Sequence, residues 1–259
     1  MDVERYLRRI QYRGSTQLTA GTLRDLHRQH LYTVPFENLD IALGNPIHLD
    51  LDLLFDKVVT RRRGGFCYEL NGLFCELLRV TGYHVEMLSA RIRRADGSYN
   101  PEFDHMLLRV QLEEPWLADV GFGESFVDPL PLRSGALTKV NGRRYFVGGV
   151  EGRWQLLRHE ENTDEPLYIF SDVPRNLSDY QGMCEYHQTS PDSHFTKGSV
   201  CSLATPDGRV TLSGMRLIVT RNGRREESML SGEAELRRCL CNRFGIEFDS
   251  DIDLTKLAV

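Results

Sequence analysis

Residues 61–72 read RRRGGFCYELNG, so three cations and two glycines lead directly to a cysteine. The clearest helical pattern of the chain begins there and predicts a helix from Cys67 to about Thr81. A thiol at a helix start meets unpaired N–H groups and a positive partial charge, which predicts a lowered pKa for Cys67. Gly64 and Gly65 carry no Cβ, which would let a substrate approach closely. From this segment alone, a nucleophilic thiol and a buried structural cysteine both remain open.

The rest of the chain changes its periodicity once near the middle. Helical spacing predicts elements over residues 2–10, 22–32 and 50–59, before the helix at Cys67. After residue 83 the pattern becomes that of strands, over residues 84–92, 105–112, 116–120, 145–147 and 154–157. A helix over 178–188, hairpin turns at 206–208 and 222–223, and a helix that Ser231 caps and Gly245 ends complete the chain. This order predicts the α+β class.

The composition argues against several classes of protein. The chain has 259 residues, of which 41% are hydrophobic and 27% charged, with a formal net charge of −5. No broad basic stripe supports nucleic-acid binding, and the apolar runs are too short to cross a membrane. The N-terminus lacks the apolar core of a secretory signal, and none of the six cysteines forms a C-x-x-C pair. We therefore expect a cytoplasmic protein with no nucleic-acid partner, no membrane partner and no metal.

A nucleophilic thiol requires a base and a group that orients the base. His105 begins a strongly apolar strand, and Asp119 lies within the apolar run of residues 116–123. A buried carboxylate needs partners, and an imidazolium on the neighbouring strand would serve both residues. A tight symmetric turn at 113–115 would instead place Asp119 opposite Arg109, as a structural ion pair. His27 lies on a predicted helix and is interpreted as a packing or surface residue.

Five segments together resemble the arylamine N-acetyltransferase family. His105 lies 105 − 67 = 38 positions after Cys67, and Asp119 lies 119 − 105 = 14 positions after His105, as in that family. The resemblance covers nearly the whole chain. The segments are PFENL at 35–39, RGGFCYELN at 63–71, FDHMLLRV at 103–110, DVGFG at 119–123 and TSPDSHF at 189–195.

The resemblance implies an α+β fold with a papain-like core that carries a cysteine nucleophile. It implies an N-terminal helical bundle over 1–83, a central antiparallel β-barrel domain over 84–188 and a C-terminal α/β lid over 189–259. The catalytic triad would be Cys67, His105 and Asp119, which favours the histidine over Arg109 as the partner of Asp119. The resemblance also supports an ion pair between Glu37 and Arg63 that holds the cysteine loop.

The implied activity is acetyl transfer from acetyl-CoA, as co-substrate, to the nitrogen of arylamines, arylhydrazines or N-hydroxyarylamines. It would follow a ping-pong mechanism through an acetyl-cysteine, with the backbone N–H of Cys67 as one oxyanion donor. The resemblance also implies a role in xenobiotic metabolism. Three alternatives stay open: another acyl transfer on the same scaffold, thioester hydrolysis with water as acceptor, and a non-catalytic binding module with a structural cysteine.

The resemblance also implies two groups of binding residues, which rest on less specific motifs than the triad does. An aromatic acceptor would lie in an apolar slot, and CoA would lie against residues 121–125 and the segment around 189–195. The candidate substrate-binding residues are Phe36, Phe103, Phe122 and Phe195. The candidate CoA-binding residues are Gly123, Tyr186, Asp192 and Ser193.

Overall fold

The computed structural model describes residues 1–124, 126–150, 152–160 and 163–258. A two-residue strand, β1 (Phe36–Glu37), interrupts an N-terminal series of helices, and a π-helical turn over residues 56–60 extends the fourth helix. The elements predicted over 2–10, 22–32, 50–59 and from Cys67 are confirmed. The helices are α1 (Val3–Arg9), α2 (Ala20–Thr33), α3 (Leu39–Leu43), α4 (Leu51–Phe55) and α5 (Cys67–Val80).

Local hydrogen bonds set the starts of these helices. The side chains of Asp2, Thr19 and Asp50 accept backbone N–H groups from the first turns of α1, α2 and α4. The residue before α5 is Phe66, which has no side-chain acceptor. Instead, Oε2 of Glu69 accepts the N–H of Phe66 at 3.0 Å. A carboxylate within the first turn therefore fixes the start of α5.

An antiparallel barrel follows the helices. Its strands lie in the order β5-β4-β3-β2-β9-β8-β7-β6, and the end strands β5 and β6 lie close together, so that the barrel is nearly closed. This arrangement confirms the predicted central antiparallel barrel. The strands are β2 (His84–Ile92), β3 (His105–Gln111), β4 (Pro115–Ala118), β5 (Leu130–Pro131), β6 (Ala136–Val140), β7 (Arg143–Val150), β8 (Arg153–Glu160) and β9 (Thr163–Arg175).

The observed strands differ from the predicted ones in length and in number. β2 matches the prediction, β4 ends two residues early, and β7 and β8 are longer than predicted. β5, β6 and β9 were not predicted. β9 contains Pro166 and Pro174, which argue against a strand because proline donates no backbone hydrogen bond. Both prolines lie beside irregularities in the register with β8 and β2, where the missing donors are tolerated.

The first half of the central strand β3 is buried on both faces. Met106, Leu108 and Val110 belong to the apolar cluster beneath α5, whereas Leu107 points into the cluster inside the barrel. Alternation between polar and apolar residues is therefore absent from residues 105–108 and appears only over residues 108–111. A buried histidine at its start, His105, lies between two cores rather than at the solvent.

A second antiparallel sheet has the order β1-β10-β11-β12-β13. Because β1 pairs with β10, this sheet is joined to the N-terminal helices. The hairpins predicted at 206–208 and 222–223 are confirmed, since they connect β10 to β11 and β12 to β13. The strands are β10 (Val200–Thr205), β11 (Gly208–Ser213), β12 (Arg216–Arg221) and β13 (Arg224–Met229).

Two helices flank the second sheet in sequence. The helix predicted over 178–188 begins as a 3-10 turn at 177–180 and continues as α6 (Gln181–Thr189). α7 (Glu233–Cys239) starts after Gly232, so the predicted Ser231 cap is wrong. The hydroxyl of Ser231 donates to Oε2 of Glu235 at 2.8 Å instead of accepting from the helix. Within the described parts of the chain, no helix combines the length and apolar character needed to cross a membrane.

Candidate active site

Cys67 is the first residue of α5, and only 3% of its surface is exposed. The loop before it depends on two glycines. A Cβ on Gly64 would lie 2.0 Å from the carbonyl oxygen of Pro35, and one on Gly65 would lie 2.7 Å from Oε2 of Glu69. These glycines therefore allow the loop to pack against the protein itself, which differs from the role in substrate access that the sequence suggested.

The predicted pair between Arg63 and Glu37 is confirmed, and it forms part of a buried ionic cluster. Nη2 of Arg63 lies 2.8 Å from Oε1 of Glu37 and 3.2 Å from Oδ1 of Asp40. Nζ of Lys57 lies 2.7 Å from both Asp40 and Glu69. Desolvation opposes the charge of Arg63, but the carboxylates of Glu37 and Asp40 outweigh it and raise the Arg63 pKa. The cluster ties the loop before α5 to α3 and to the turn at 56–60.

His105 begins β3, Asp119 directly follows β4, and both side chains are buried. Nε2 of His105 lies 2.7 Å from Oδ2 of Asp119. The structure thus brings together the histidine and the carboxylate that the sequence proposed as base and orienter. Nδ1 is the nitrogen of the imidazole that this contact leaves available.

The alternative pair between Arg109 and Asp119 is wrong. The connection between β3 and β4 is residues 112–114, one residue earlier than the turn considered at 113–115. Arg109 therefore lies opposite Leu117, which is two residues before Asp119. Nε of Arg109 donates to Oε2 of Glu86 at 2.6 Å, and its guanidinium also contacts Asp172. Asp119 lies beyond the last paired residue of β4, where the chain can turn its carboxylate towards the start of β3.

Four further residues hold Asp119. Nδ2 of Asn71 donates to Oδ1 at 2.9 Å, and the N–H of Gly121 donates to the same oxygen at 3.0 Å. The hydroxyl of Tyr168 donates to Oδ2 at 3.2 Å. Nε2 of His27 accepts the backbone N–H of Asp119 at 3.0 Å. Although burial raises the Asp119 pKa, His105, Asn71 and the N–H of Gly121 outweigh burial and hold that pKa below its ordinary value.

His27 shows how a packing residue supports the site. Its Nδ1 lies 2.9 Å from the carbonyl oxygen of Val127, and its ring stacks on Phe126. Since Nε2 accepts from Asp119, the ring proton resides on Nδ1 and is donated to Val127. Burial lowers the His27 pKa, which keeps the ring neutral. The packing interpretation is confirmed, but nothing in the sequence distinguished His27 as a support for Asp119.

The electrostatics of Cys67 differ from the prediction. Burial raises the pKa of the Cys67 thiol well above its ordinary value, and the carboxylates of Asp104 and Asp119 act in the same direction. Only the backbone N–H of Met106 lowers it substantially. Loss of hydration thus has a larger effect on this pKa than the N–H groups and positive partial charge at the helix start, from which the sequence predicts a lowered pKa. A thiolate here needs a neighbouring cation, which the imidazolium of His105 can provide.

Cys67 and His105 line one cavity of about 230 Å³. Three of the four phenylalanines proposed to bind substrate also line this cavity, and they make its walls mainly apolar. Phe103 does not: its φ is 67°, and its ring packs against Tyr180 with a centroid distance of 5.3 Å. The other lining residues are Phe36, Ile92, Asn100, Asp104, Gly121, Phe122, His194, Phe195 and Val200.

The residues proposed to bind CoA lie outside this cavity. Gly123 has a φ of 78° and lies beside the ring of Phe36. Tyr186 and Asp192 are exposed, on α6 and on the turn after it. Ser193 is buried, and its hydroxyl donates to the carbonyl of His187 on α6 and accepts the N–H of Phe195. The loop predicted over 121–125 ends at Ser125, which lies outside the described residues.

A second, larger cavity of about 640 Å³ lies between β6–β7 and β10–β12. Its lining includes Arg143, Arg209 and Glu124, but not Cys67, His105 or any other member of the smaller cavity. In the part of the chain that the structure describes, no group of three or more His, Cys, Asp or Glu side chains could hold a metal ion. The smaller cavity is therefore the one that combines a thiol with an acid–base pair.

Comparison with known proteins agrees with this site. A family profile described as N-acetyltransferase matches residues 19–252. The chain is 36% identical to an arylamine N-acetyltransferase of Mycolicibacterium smegmatis, over 95% of this chain and 92% of the relative. It is 34% identical to arylamine N-acetyltransferase 1 of Homo sapiens, over 95% of this chain and 94% of the relative.

Solved structures show the same similarity in three dimensions. The arylamine N-acetyltransferase of Mycobacterium marinum in complex with CoA has a TM-score of 0.88 and 34% identity, covering 95% of this chain and 93% of that chain. The M. smegmatis structure has a TM-score of 0.91 and 34% identity, covering 100% of this chain and 98% of that chain. The chain belongs to the arylamine N-acetyltransferase family.

Proposed function

We propose that the protein transfers the acetyl group of acetyl-CoA to the nitrogen of an arylamine, arylhydrazine or N-hydroxyarylamine, through an acetyl-cysteine at Cys67. One observation carries this proposal. Cys67 opens onto the same small apolar cavity as His105, and the buried carboxylate of Asp119 orients that histidine. The names of the relatives support the acceptor, and the CoA complex of the M. marinum enzyme supports the donor.

The first half-reaction begins with the thiol proton. Nε2 of His105 faces Asp119, so Nδ1 is the nitrogen that takes the proton from Cys67. The resulting imidazolium compensates the thiolate, whose charge burial alone would disfavour. The thiolate attacks the thioester carbonyl carbon, the carbon–sulfur bond to CoA breaks, and the imidazolium returns its proton to the departing CoA thiolate. Asp119 stabilises the imidazolium throughout.

The start of α5 supplies an oxyanion donor. The backbone N–H of Cys67 belongs to the first turn of the helix, where N–H groups have no partner within the helix. Among the described residues this N–H donates to no other protein group, so it is available to the oxygen of the tetrahedral intermediate. The N–H of Gly121, by contrast, is already donated to Asp119.

In the second half-reaction the acceptor nitrogen attacks the acetyl-cysteine. Nδ1 of His105 accepts the proton of the amine, and Cys67 leaves as a thiolate. A cavity of about 230 Å³ leaves little room for two substrates, which is why we propose that acetyl-CoA and the amine use it in turn. An aromatic acceptor could pack against the rings of Phe36, Phe122 and Phe195 in stacked or edge-to-face geometry.

The outer part of CoA would lie outside this cavity. We propose that the exposed Tyr186 and Asp192 contact it, because the turn they flank leads into the cavity residues His194 and Phe195. All six cysteines are free thiols, which supports a reducing, cytoplasmic location.

Initial-rate kinetics with acetyl-CoA and a substituted aniline test the proposal. A ping-pong mechanism gives parallel double-reciprocal lines. We expect Cys67→Ala to abolish transfer and Cys75→Ala, which removes another buried thiol of α5, to preserve it. Acetate release at the same rate with and without the amine would identify a hydrolase instead. Transfer by Cys67→Ala at the wild-type rate would rule out the nucleophile.

A further inference from the structure

A second carboxylate, Asp104, lines the cavity that contains Cys67 and His105. It precedes His105 in the chain, and 7% of its surface is exposed. Among the described residues that line the cavity, Asp104 is the only acidic one. The proposed reaction does not use it, because Asp119 is the partner of His105.

Two side chains hold Asp104 in place. Nδ2 of Asn100 donates to Oδ2 at 2.8 Å, and Nε2 of His187 lies 3.4 Å from Oδ1. His187 is buried, with Nδ1 3.2 Å from the hydroxyl of Ser193 and its ring stacked on Tyr68. Since Asn100 and Asp104 line the cavity and His187 does not, a ligand meets the carboxylate before the imidazole.

The carboxylate of Asp104 retains capacity to accept hydrogen bonds. An ionised carboxylate offers about four lone-pair positions, and the contacts with Asn100 and His187 use one on each oxygen. Burial opposes ionisation, but His187 and Asn100 outweigh it and hold the Asp104 pKa below its ordinary value. A negative charge therefore lies in a mainly apolar cavity, where low polarity strengthens its interaction with a ligand.

We propose that Asp104 is a specificity-determining residue that favours acceptors with a cation or hydrogen-bond donor away from the reacting nitrogen, and disfavours acceptors with a carboxylate. This inference rests on the proposed function, because it names the acceptor class of the same site. A donor group would fill the open positions of Asp104. An anionic group would lose its hydration beside a like charge without compensation.

Two acceptors of the same shape and opposite charge test the inference. 4-Aminobenzamidine carries a cation where 4-aminobenzoate carries a carboxylate. Both would react with the same acetyl-enzyme, so the ratio of their kcat/KM values does not depend on the acetyl-CoA step. Comparing that ratio between wild type and Asp104→Asn also cancels the different nucleophilicities of the amines. We expect the amidine-to-benzoate ratio to fall at least about tenfold in Asp104→Asn.

Asp96→Asn is the matched control, since it removes the same charge from an exposed loop outside the cavity. It should leave the ratio unchanged. A ratio that is the same in wild type and Asp104→Asn, or that falls equally in Asp96→Asn, would overturn the inference. In that outcome the acetyl-enzyme and both products would still form, so the proposed function would stand.

A binding measurement on the wild-type protein needs neither the variant nor the transfer reaction. Benzamidine and benzoate have no amine to acetylate, and either can shield Cys67 from iodoacetamide by occupying the cavity. We expect benzamidine to protect at a concentration at least about tenfold lower than benzoate. Equal protection would overturn the inference. Failure of acetyl-CoA to acetylate Cys67 would instead count against the proposed function alone.

Discussion

Replacement of Asn71 by alanine tests whether the site and the fold share one buried hydrogen-bond network. The side chain of Asn71 makes three hydrogen bonds: to the carbonyl of Met106 at 2.7 Å, to Oδ1 of Asp119 at 2.9 Å and from the N–H of Val120 at 2.9 Å. These bonds join α5, β3 and the segment after β4. Asn71 has no exposed surface, so water cannot simply replace the lost partner.

The magnitude follows from the three lost bonds. A typical hydrogen bond makes a net contribution of about 1 kcal/mol to the free energy of unfolding. The loss is larger when the bond involves a charged group or when a buried partner is left unpaired. We therefore expect Asn71→Ala to lower the free energy of unfolding by about 3–5 kcal/mol. Asp119 also loses one of its orienting donors, so the rate of Cys67 acetylation at fixed acetyl-CoA should fall by at least about tenfold.

Urea denaturation gives the change in stability, and rapid-quench measurement of acetyl incorporation gives the change in rate. Asn45→Ala is the control, because Asn45 is exposed and, among the described residues, its side chain makes one hydrogen bond, a donation to Oδ1 of Asp40 at 3.3 Å. It should change the free energy of unfolding by less than about 0.5 kcal/mol. If Asn71→Ala matched Asn45→Ala in both measurements, the shared network would be refuted.

Three other predictions concern charge. Arg63→Ala removes the cation paired with the buried carboxylate of Glu37, whereas Lys57 still pairs with Asp40 and Glu69, and it should lower the free energy of unfolding in urea by about 3–5 kcal/mol. Arg61→Ala, which removes an exposed pair, should change it by less than about 0.5 kcal/mol. Because burial raises the Cys67 pKa, His105→Gln should slow iodoacetamide alkylation of Cys67 at pH 7 by at least about tenfold, with recovery only at alkaline pH; an unchanged rate would contradict this. Burial lowers the His27 pKa, so below the ordinary pKa of 6.5 the unfolded chain binds a proton that the folded chain excludes. The free energy of unfolding should then fall by about 1 kcal/mol between pH 7.5 and pH 5.5 because of this residue. Urea denaturation at both pH values should show a smaller fall for His27→Gln than for the wild type, and an equal fall would contradict the prediction.

The parts of the fold that the sequence predicted well have strong local signals. The helix that begins at Cys67 carries an uninterrupted apolar stripe, and β2 has turn residues on both sides. His105 and Asp119 could be found because each is a polar residue in an apolar strand context, where burial demands a partner. The sequence leaves two partners of Asp119 open, His105 and Arg109, because the register between β3 and β4 decides which of them Asp119 meets.

The parts that could not be predicted depend on residues far apart in the chain. Tyr168 lies on β9, a strand that the sequence did not predict because it contains prolines. The hydroxyl of Tyr168 nevertheless donates to Asp119. His187 does not line the cavity that contains Cys67 and His105, but it contacts the lining residue Asp104, 187 − 104 = 83 positions earlier. The raised pKa of Cys67 depends on the depth of burial, which a helix-start pattern does not report. Phe103 has the residue type of a substrate contact, but its backbone directs the ring to Tyr180.

The central claim is that Cys67 carries the acetyl group between the two substrates. The direct measurement is mass spectrometry of peptides after incubation with acetyl-CoA alone, followed by addition of an arylamine. We predict one acetyl group on the peptide that contains Cys67, and its loss when the amine is added, with the acetyl group recovered on the amine nitrogen. No acetyl group on Cys67, or one that persists while the amine is acetylated, would contradict the claim.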